Sequence, residues 1–462
     1  MHIKIQLIVL SDDDQEQTLE EVVTLEKEFE HLEQIGLTLT ESKNILKQIQ
    51  QTVTERQTSA YLKTHRQCER CGKRRKLKSY HEIVFRTLFG NIRLKSPRLY
   101  HCQCQEHRTK AFSPLTELLT EHTAPELLYL EAKWASLVSY DKTAELLKEA
   151  LPIDDKINAA TVRNHLHRVA QQKESKLGEE RVFFIDGCPM DWEKLRSSGP
   201  PITVGMDGGY VRDWRNKKSH FEVIVGKSVP ARAEAKAFGF VQTYDKKPKR
   251  RLFELLRSQG LNANQELVFM SDGEETLRGL QEYLSPHSTH LLDWFHITMR
   301  ITVLRQYAKG LIRIDPRLGG EIDKELERVK WYLWHGNVYE ALFWLDDIEM
   351  LIYNFEESYT KFVKLEKALD EFQVYIKRNA ASIENYGLRW HRDEVISTAF
   401  MESTVNQVIS KRFCKKQQMQ WTPKGAHLLL QMRTAVLNNE LEDAFRTWYP
   451  NFRDDTEEKI AA

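Results

Sequence analysis

No apolar run in this 462-residue chain approaches the roughly 18 residues that a membrane span requires. The opening stretch Ile5-Gln6-Leu7-Ile8-Val9-Leu10 is too short for a secretory signal and runs almost at once into Asp12, Asp13 and Asp14. It reads as a strand, and the protein as intracellular and cytoplasmic, with no membrane partner. Cysteine is scarce: six residues, four of them between positions 68 and 104, which is too few and too clustered for a disulfide framework in such a chain. Net charge is nearly absent, since 68 Lys and Arg face 67 Asp and Glu. That balance conceals unevenness. Residues 61–110 hold fourteen Lys and Arg against three Glu, and residues 403–439 hold six with no acid. Two basic blocks in a chain balanced elsewhere point to surfaces that neutralise phosphate.

What is present divides the chain. Leu19, Val22, Val23, Leu25, Phe29, Leu32, Ile35 and Leu37 fall at roughly helical spacing, so residues 15–58 read as helix and 1–60 as a helical N-terminal segment. Cys68-x-x-Cys71 and Cys102-x-Cys104 then bracket two strand-like stretches joined by Phe89-Gly90-Asn91. Two cysteine pairs around a hairpin are the layout of a zinc ribbon, each pair supplying half of a tetrahedral site for a structural Zn²⁺. His101 and His107 are the alternative ligands. We take residues 61–115 as this zinc-ribbon-like, DNA-binding module. Cys188 and Cys414 stand alone and read as packed thiols.

Residues 116–175 predict a helix-turn-helix, with helices over 141–151 and 159–169 and with Thr161, Arg163, Asn164, His167 and Arg168 facing DNA. An ordinary helical hairpin fits the same pattern. From residue 202 the chain becomes strand-rich: 202–213, 220–229 and 235–244 follow one another, then helix 248–259, strand 266–271, helix 274–284 and strand 289–293. This order predicts a mixed five-stranded sheet of the RNase H-like kind, its first strand central and beside the fourth. The run Lys246-Lys-Pro-Lys-Arg-Arg251 reads as a DNA-facing or solvated loop. Residues 300–390 read as an all-α insertion whose aromatic stripe (Trp331, Tyr332, Trp334, Phe343, Trp344, Tyr353, Phe355) belongs to a core.

Three acids stand out. Asp207 and Asp272 each follow an apolar run and precede glycine, and Glu402 borders the apolar stripe Met401, Val405, Val408 and Ile409. A carboxylate at the end of a buried strand needs a cation or a hydrogen-bond network, and several in one cleft favour a divalent metal. Asp393 and Glu394 are alternatives to Glu402. The pattern suggests a metal-dependent enzyme acting on phosphodiesters. Lys411, Arg412, Lys415 and Lys416 follow Glu402 at helical spacing, placed to hold DNA phosphates. Trp421 reads as packed.

These motifs, Gly205-Met-Asp-Gly-Gly-Tyr-Val-Arg212, Phe221-Glu-Val-Ile-Val-Gly-Lys227, Ser271-Asp-Gly273, Asp293-Trp-Phe-His296 and Met401-Glu-Ser-Thr-Val-Asn406, occur in an order that resembles the DDE transposases of bacterial insertion sequences, specifically the ISKra group, and more distantly the Mutator-like elements. The resemblance covers most of the chain beyond residue 60. It implies a multidomain α+β protein: zinc-ribbon and helix-turn-helix modules, an RNase H-like catalytic core begun by 176–299, interrupted by the insertion, and completed by 391–462. It further implies that Asp207, Asp272 and Glu402 hold two Mg²⁺ or Mn²⁺ ions for hydrolysis at element ends and strand transfer. Asp293 and His296 resemble an accessory signature; a helix N-cap by Asp293 with an N-terminal histidine fits them equally well. Double-stranded DNA, both terminal repeats and target, is the implied partner, and at least a homodimer the implied active form. A catalytically silent DNA-binding regulator and a standalone RNase H-like nuclease are the competing functions.

Overall fold

The computed structural model describes residues 1–10, 17–28, 30–104, 110–181, 199–216, 218–273, 288–353, 362–414 and 420–453. The predicted helix 274–284, Cys188, His107, Phe355, Lys415 and Lys416 lie outside them. The chain forms two compact units, Met1–Gln171 with Asn439–Ala462, and Gln172–Asn438. Among the described residues no helix is long and apolar enough to cross a membrane.

The first unit corrects the reading of the N-terminal segment. Strand β1 (His2–Leu10) pairs antiparallel with β2 (Gln17–Glu26), so residues 17–26 are strand and not helix. The β-branched run Val22, Val23, Thr24 favours the extended backbone. Val23 and Leu25 alternate onto a buried face against Ile45, whereas Leu19 is exposed. Helix begins only at α1 (Leu39–His65), where Thr38 and Glu41 form a reciprocal capping box. Strands β3 (Leu77–Thr87), β4 (Gly90–Tyr100) and the short β5 (Ala111–Phe112) form an antiparallel sheet around Ile83, Ile92, Leu94 and Leu115. After the short α2 (Pro114–Leu118) come α3 (Pro125–Leu137), α4 (Tyr140–Ala150) and α5 (Ala159–Ser175), close to the helices that the sequence predicts. The chain later returns to this unit: in the helix Leu441–Trp448, Phe445 meets Tyr129 edge-on at 5.4 Å, and Arg453 lies over Tyr129 and pairs with Glu126 at 3.1 Å.

The second unit is built on β6 (Ile202–Arg212), β7 (His220–Val229), β8 (Lys236–Val241), β9 (Leu267–Ser271) and β10 (Ser288–Leu292), in the order β10-β9-β6-β7-β8. β6, β9 and β10 are parallel, and β7 runs antiparallel to both of its neighbours. Alternate residues of β6 serve two faces. Ile202, Val204 and Met206 pack on Leu252 and Leu256 of α6 (Pro248–Ser258). The helices α7 (Trp294–Ile312), α8 (Pro316–Trp334), α9 (Val338–Tyr353) and α10 (Phe362–Arg378) share one core with Val268 and Met270 of β9 and Leu291 and Leu292 of β10. Tyr332, Trp334 and Trp344 pack against that core, but Trp331, Phe343 and Tyr353 are exposed, so the aromatic stripe is only partly core. After α11 (Tyr386–His391), the chain reaches α12 (Ala399–Val405), continues as π-helix over Asn406–Cys414, and ends this unit with the almost wholly buried α13 (Pro423–Leu437).

The opposite face of β6 is covered by α12 and the π-helix, and glycine makes this possible. A methyl group on Gly205 would stand 2.7 Å from Phe400 Cζ and 2.8 Å from Met401 Cγ, and one on Gly209 2.6 Å from Ile409 Cδ1. Gly205→Ala is therefore expected to cost about 1–3 kcal/mol, because an aromatic ring and a methionine stem must both move. Equilibrium urea unfolding of the variant checks this.

Candidate active site and metal centre

Asp207 lies between Gly205 and Gly209 on the face of β6 that α12 covers. β6 pairs with β9 from Ile202 opposite Leu267 to Gly205 opposite Met270, and that register carried two residues further sets Asp207 level with Asp272. β10 pairs with β9 up to Leu292 opposite Ser271, and one step further sets Asp293 level with Asp272. Three aspartates thus stand level on three adjacent parallel strands, Asp272 and Asp293 just past the ends of β9 and β10 and Asp207 within β6, which runs on to Arg212 beside β7; the order of strands reverses at β6. This is the edge at which open α/β sheets bind ligands.

Burial pushes the Asp207 carboxyl above the usual carboxylate range, and Asp272 and Asp293 add to the effect; the N–H of Gly208, donated to Oδ1 at 2.8 Å, and the charge of His296 oppose it. Excess negative charge at a half-buried position is the condition that a divalent cation relieves. Asp293 is fully buried and caps α7, accepting from Phe295 N at 2.9 Å. It also accepts from the backbone N of Thr398 at 3.0 Å and from the Thr398 hydroxyl. The N-cap account of Asp293 therefore describes it, with one addition: the same carboxylate pins the start of α12. His296 Nε2 stands 3.6 Å from Asp293 Oδ2.

Glu402 is carried by α12, next to Met401 over Gly205, and is itself exposed. The carboxylates of Asp207, Asp272 and Glu402 do not all lie within 4.8 Å of one another. The two aspartates and the helix bearing the glutamate share a face, and the glutamate points to solvent. Lys411 is exposed as predicted. Arg412 is not: at 3% exposure it lies over the Trp421 ring, 5.2 Å from its centroid, where no DNA phosphate reaches it. The apolar face of the π-helix (Val408, Ile409, Phe413) draws it inward. Trp421 is packed, its indole N–H bonded to Phe413 O at 3.3 Å, and Cys414 is exposed.

In the first unit, Cys68, Cys71, Cys102 and Cys104 converge, with their sulfurs all within 4.8 Å of one another. The closest pairs, Cys68–Cys104 at 3.5 Å and Cys71–Cys102 at 3.4 Å, are far beyond the ~2.05 Å of a disulfide. Backbone N–H groups of Cys71 and Arg70 hold the Cys68 thiol down to about 6, while the neighbouring Cys102 pushes Cys104 up to about 12. Four crowded sulfurs of which only some ionise readily are a donor set suited to zinc. The tight turn after Cys71 relies on Gly72 at φ 68°. His101 instead stacks on Phe112 at 4.7 Å.

On α5, Val162, Leu166, Val169 and Ala170 are buried, which leaves Arg163 and Asn164 exposed. His167 and Arg168 are half-buried, and Arg168 faces Glu121 at 3.7 Å. Beside them, the fully buried Glu131 is bonded to His165 Nδ1, a pair that the sequence reading did not anticipate.

A second unanticipated cluster corrects the reading of the basic run. Arg251 is buried in α6. It donates to both oxygens of Glu174 at 2.8 and 2.9 Å, to Asp245 at 2.9 Å and to Gln431 at 2.6 Å, and meets His427 at 3.4 Å. Glu174, Asp245 and His427 are near enough to hold a metal, but the guanidinium already lies among them. Burial raises the Glu174 carboxyl, and hydrogen bonds from His427 and Arg251 outweigh it and hold it at about 2, against an ordinary 4.5. A depressed carboxylate contributes stability above its unfolded pKa that is lost as pH falls towards the folded one. Glu174→Gln is thus expected to cost about 3 kcal/mol at neutral pH, and the gap should close as pH falls from 4.5 towards 2. Melting temperatures across that range measure it.

Compared with known proteins, the chain matches no protein-family model and no curated protein.

Proposed function

We propose that the chain is a DDE transposase of the bacterial insertion-sequence type, which binds the terminal inverted repeats of its element and carries out Mg²⁺-dependent cleavage and strand transfer. The observation that carries this reading is the level placement of Asp207, within β6, and Asp272, just past the end of the adjacent parallel strand β9. A sheet whose first strand lies between the second and the fourth, with only the second antiparallel, supports an RNase H-like core.

In this reading Asp207 and Asp272 would hold the metal, with Glu402 closing on it from α12, and the metal would supply Lewis-acid activation of the attacking and leaving oxygens. Asp207 and Asp272 come from a rigid sheet. Glu402 approaches on α12, whose start Asp293 fixes through Thr398. His296, beside Asp293, faces the same edge. Lys411 presents positive charge to the DNA backbone beyond Glu402. A structural zinc held by Cys68, Cys71, Cys102 and Cys104 shapes the basic sheet β3–β5. That sheet and α5, through Arg163 and Asn164, recognise the repeats. The protein acts in the cytoplasm on nucleoid DNA, as a homodimer or larger assembly.

The test is incubation of purified protein with labelled DNA carrying the end of its element, with Mg²⁺, Mn²⁺ or EDTA. Metal-dependent cutting at the boundary and joined products are expected. Specific binding without cutting under any metal supports the silent regulator instead, and nicking without joined products supports a simple nuclease.

A further inference from the structure

The helix that Asp293 caps also carries the cation Arg300. Arg300 sits one helical turn beyond His296 on α7, so both side chains project from the same side of that helix. Its guanidinium carbon lies 4.2 Å from the centre of the Tyr375 ring, is exposed, and among the described residues pairs with no carboxylate. Tyr375 comes from α10, and its hydroxyl oxygen is buried. One turn on, Asn379 donates to Tyr375 O at 2.9 Å and reaches back to Gly273, the residue after Asp272. A methyl group on Gly273 would stand 2.6 Å from Asn379 Oδ1. Tyr386 OH, from α11, bonds Leu292 O at 2.7 Å, just before Asp293. The helical segment is thus clamped to the strand ends on either side of Tyr375, and Tyr375 is fixed against the row.

We propose that Arg300, held over the Tyr375 ring, is a phosphate-binding residue that holds one phosphodiester of the bound DNA next to Asp272 and Asp293. The inference rests on the transposase reading and deepens it. A guanidinium is suited to this position: it is planar, always charged and donates two parallel hydrogen bonds to a phosphate, and an aromatic face restricts its rotamers without neutralising it. Burial, with help from Asp272 and Asp293, raises the Tyr375 hydroxyl above its ordinary range, and the charge of Arg300 opposes it. A row of carboxylates repels the DNA backbone, and a fixed cation at its margin supplies local attraction where the strand must enter.

The test uses the full chain and a set of short duplexes spanning the element boundary, each with a single methylphosphonate that removes the charge from one phosphate. Binding is measured by anisotropy in Asp207→Asn protein and cutting in the wild type. With Arg300 present, in the Asp207→Asn background, one position near the cleavage site should weaken binding by about tenfold when neutralised. Arg300→Ala should lose about the same amount on unmodified DNA and then be indifferent to that one position, while remaining sensitive to the others. Arg300→Lys should recover part of the loss, and Tyr375→Phe, which keeps the ring, should stay near wild type while Tyr375→Leu does not. An Arg300→Ala protein that shows the wild-type sensitivity at every position overturns the site and leaves the transposase reading standing. A wild-type protein that neither binds nor cuts any of the duplexes overturns both.

Discussion

Asp207→Asn is expected to remove metal-dependent cleavage and joining, by about a thousandfold or more, and to leave the fold and DNA binding in place. The two effects separate because the carboxylate and its site have opposite interests. Burial and two neighbouring aspartates already disfavour the Asp207 charge. Asparagine has the same shape, keeps an oxygen for the Gly208 N–H, and removes one of three crowded negative groups. The variant should therefore melt at or above the wild-type temperature. The cost falls on the metal. A neutral amide oxygen holds Mg²⁺ far less strongly than a carboxylate, and a loss of about 4 kcal/mol in the transition state is the thousandfold expected. Rates in Mg²⁺ and Mn²⁺, with melting curves beside them, decide the matter. Wild-type rates in the variant would exclude Asp207 from the site.

The second large effect is expected at Cys68. Cys68→Ser should release the metal and unfold the β3–β5 sheet. Cys68 is the buried member of the four, and two backbone N–H groups are aimed at its sulfur. A serine hydroxyl makes no comparable bond to zinc. The surrounding core is small, with Ile83, Ile92, Leu94 and Leu115 fully buried and Tyr61, Leu62, Phe85 and Leu119 only partly so. A module of that size depends on a staple, and zinc sites of this class are worth on the order of 10 kcal/mol of folding free energy. Metal analysis should give one zinc per wild-type chain and none in the variant. Amide exchange over residues 77–100 should rise by several orders of magnitude in the variant and in chelator-treated wild type. Wild-type protein without metal, and a variant with unchanged exchange, would mean four free thiols.

The sheet of the second unit was legible because most of its strands are apolar runs ended by turn residues. Asp207 and Asp272 could be picked out because each breaks such a run just before glycine. The cysteine pairs were legible for a similar reason, since their spacing is itself a geometric statement. The N-terminal hairpin was misread because Leu19, Val22, Val23 and Leu25 satisfy a helical period as well as an alternating one. The local signal that would have decided it, Thr38-x-x-Glu41 marking the true helix start, lay downstream. Arg251 and Arg412 were misread together. A basic run looks solvated in sequence; Asp245 stands at its start, but Glu174, the other acid that pairs with Arg251, is brought by the fold from 77 residues upstream. The π-helix after Glu402 was illegible in principle, because widening a turn by one residue changes which side chains share a face.

The return of residues 439–453 to the first unit sets the order in which the protein can mature on the ribosome. Domains generally fold as they emerge, N-terminal part first, at a synthesis rate of roughly 5–20 residues per second. Here Tyr129 and Glu126 wait for Phe445 and Arg453, which are translated after the whole of the second unit. The nascent chain therefore holds the whole of the second unit before the residues that close the first have been made.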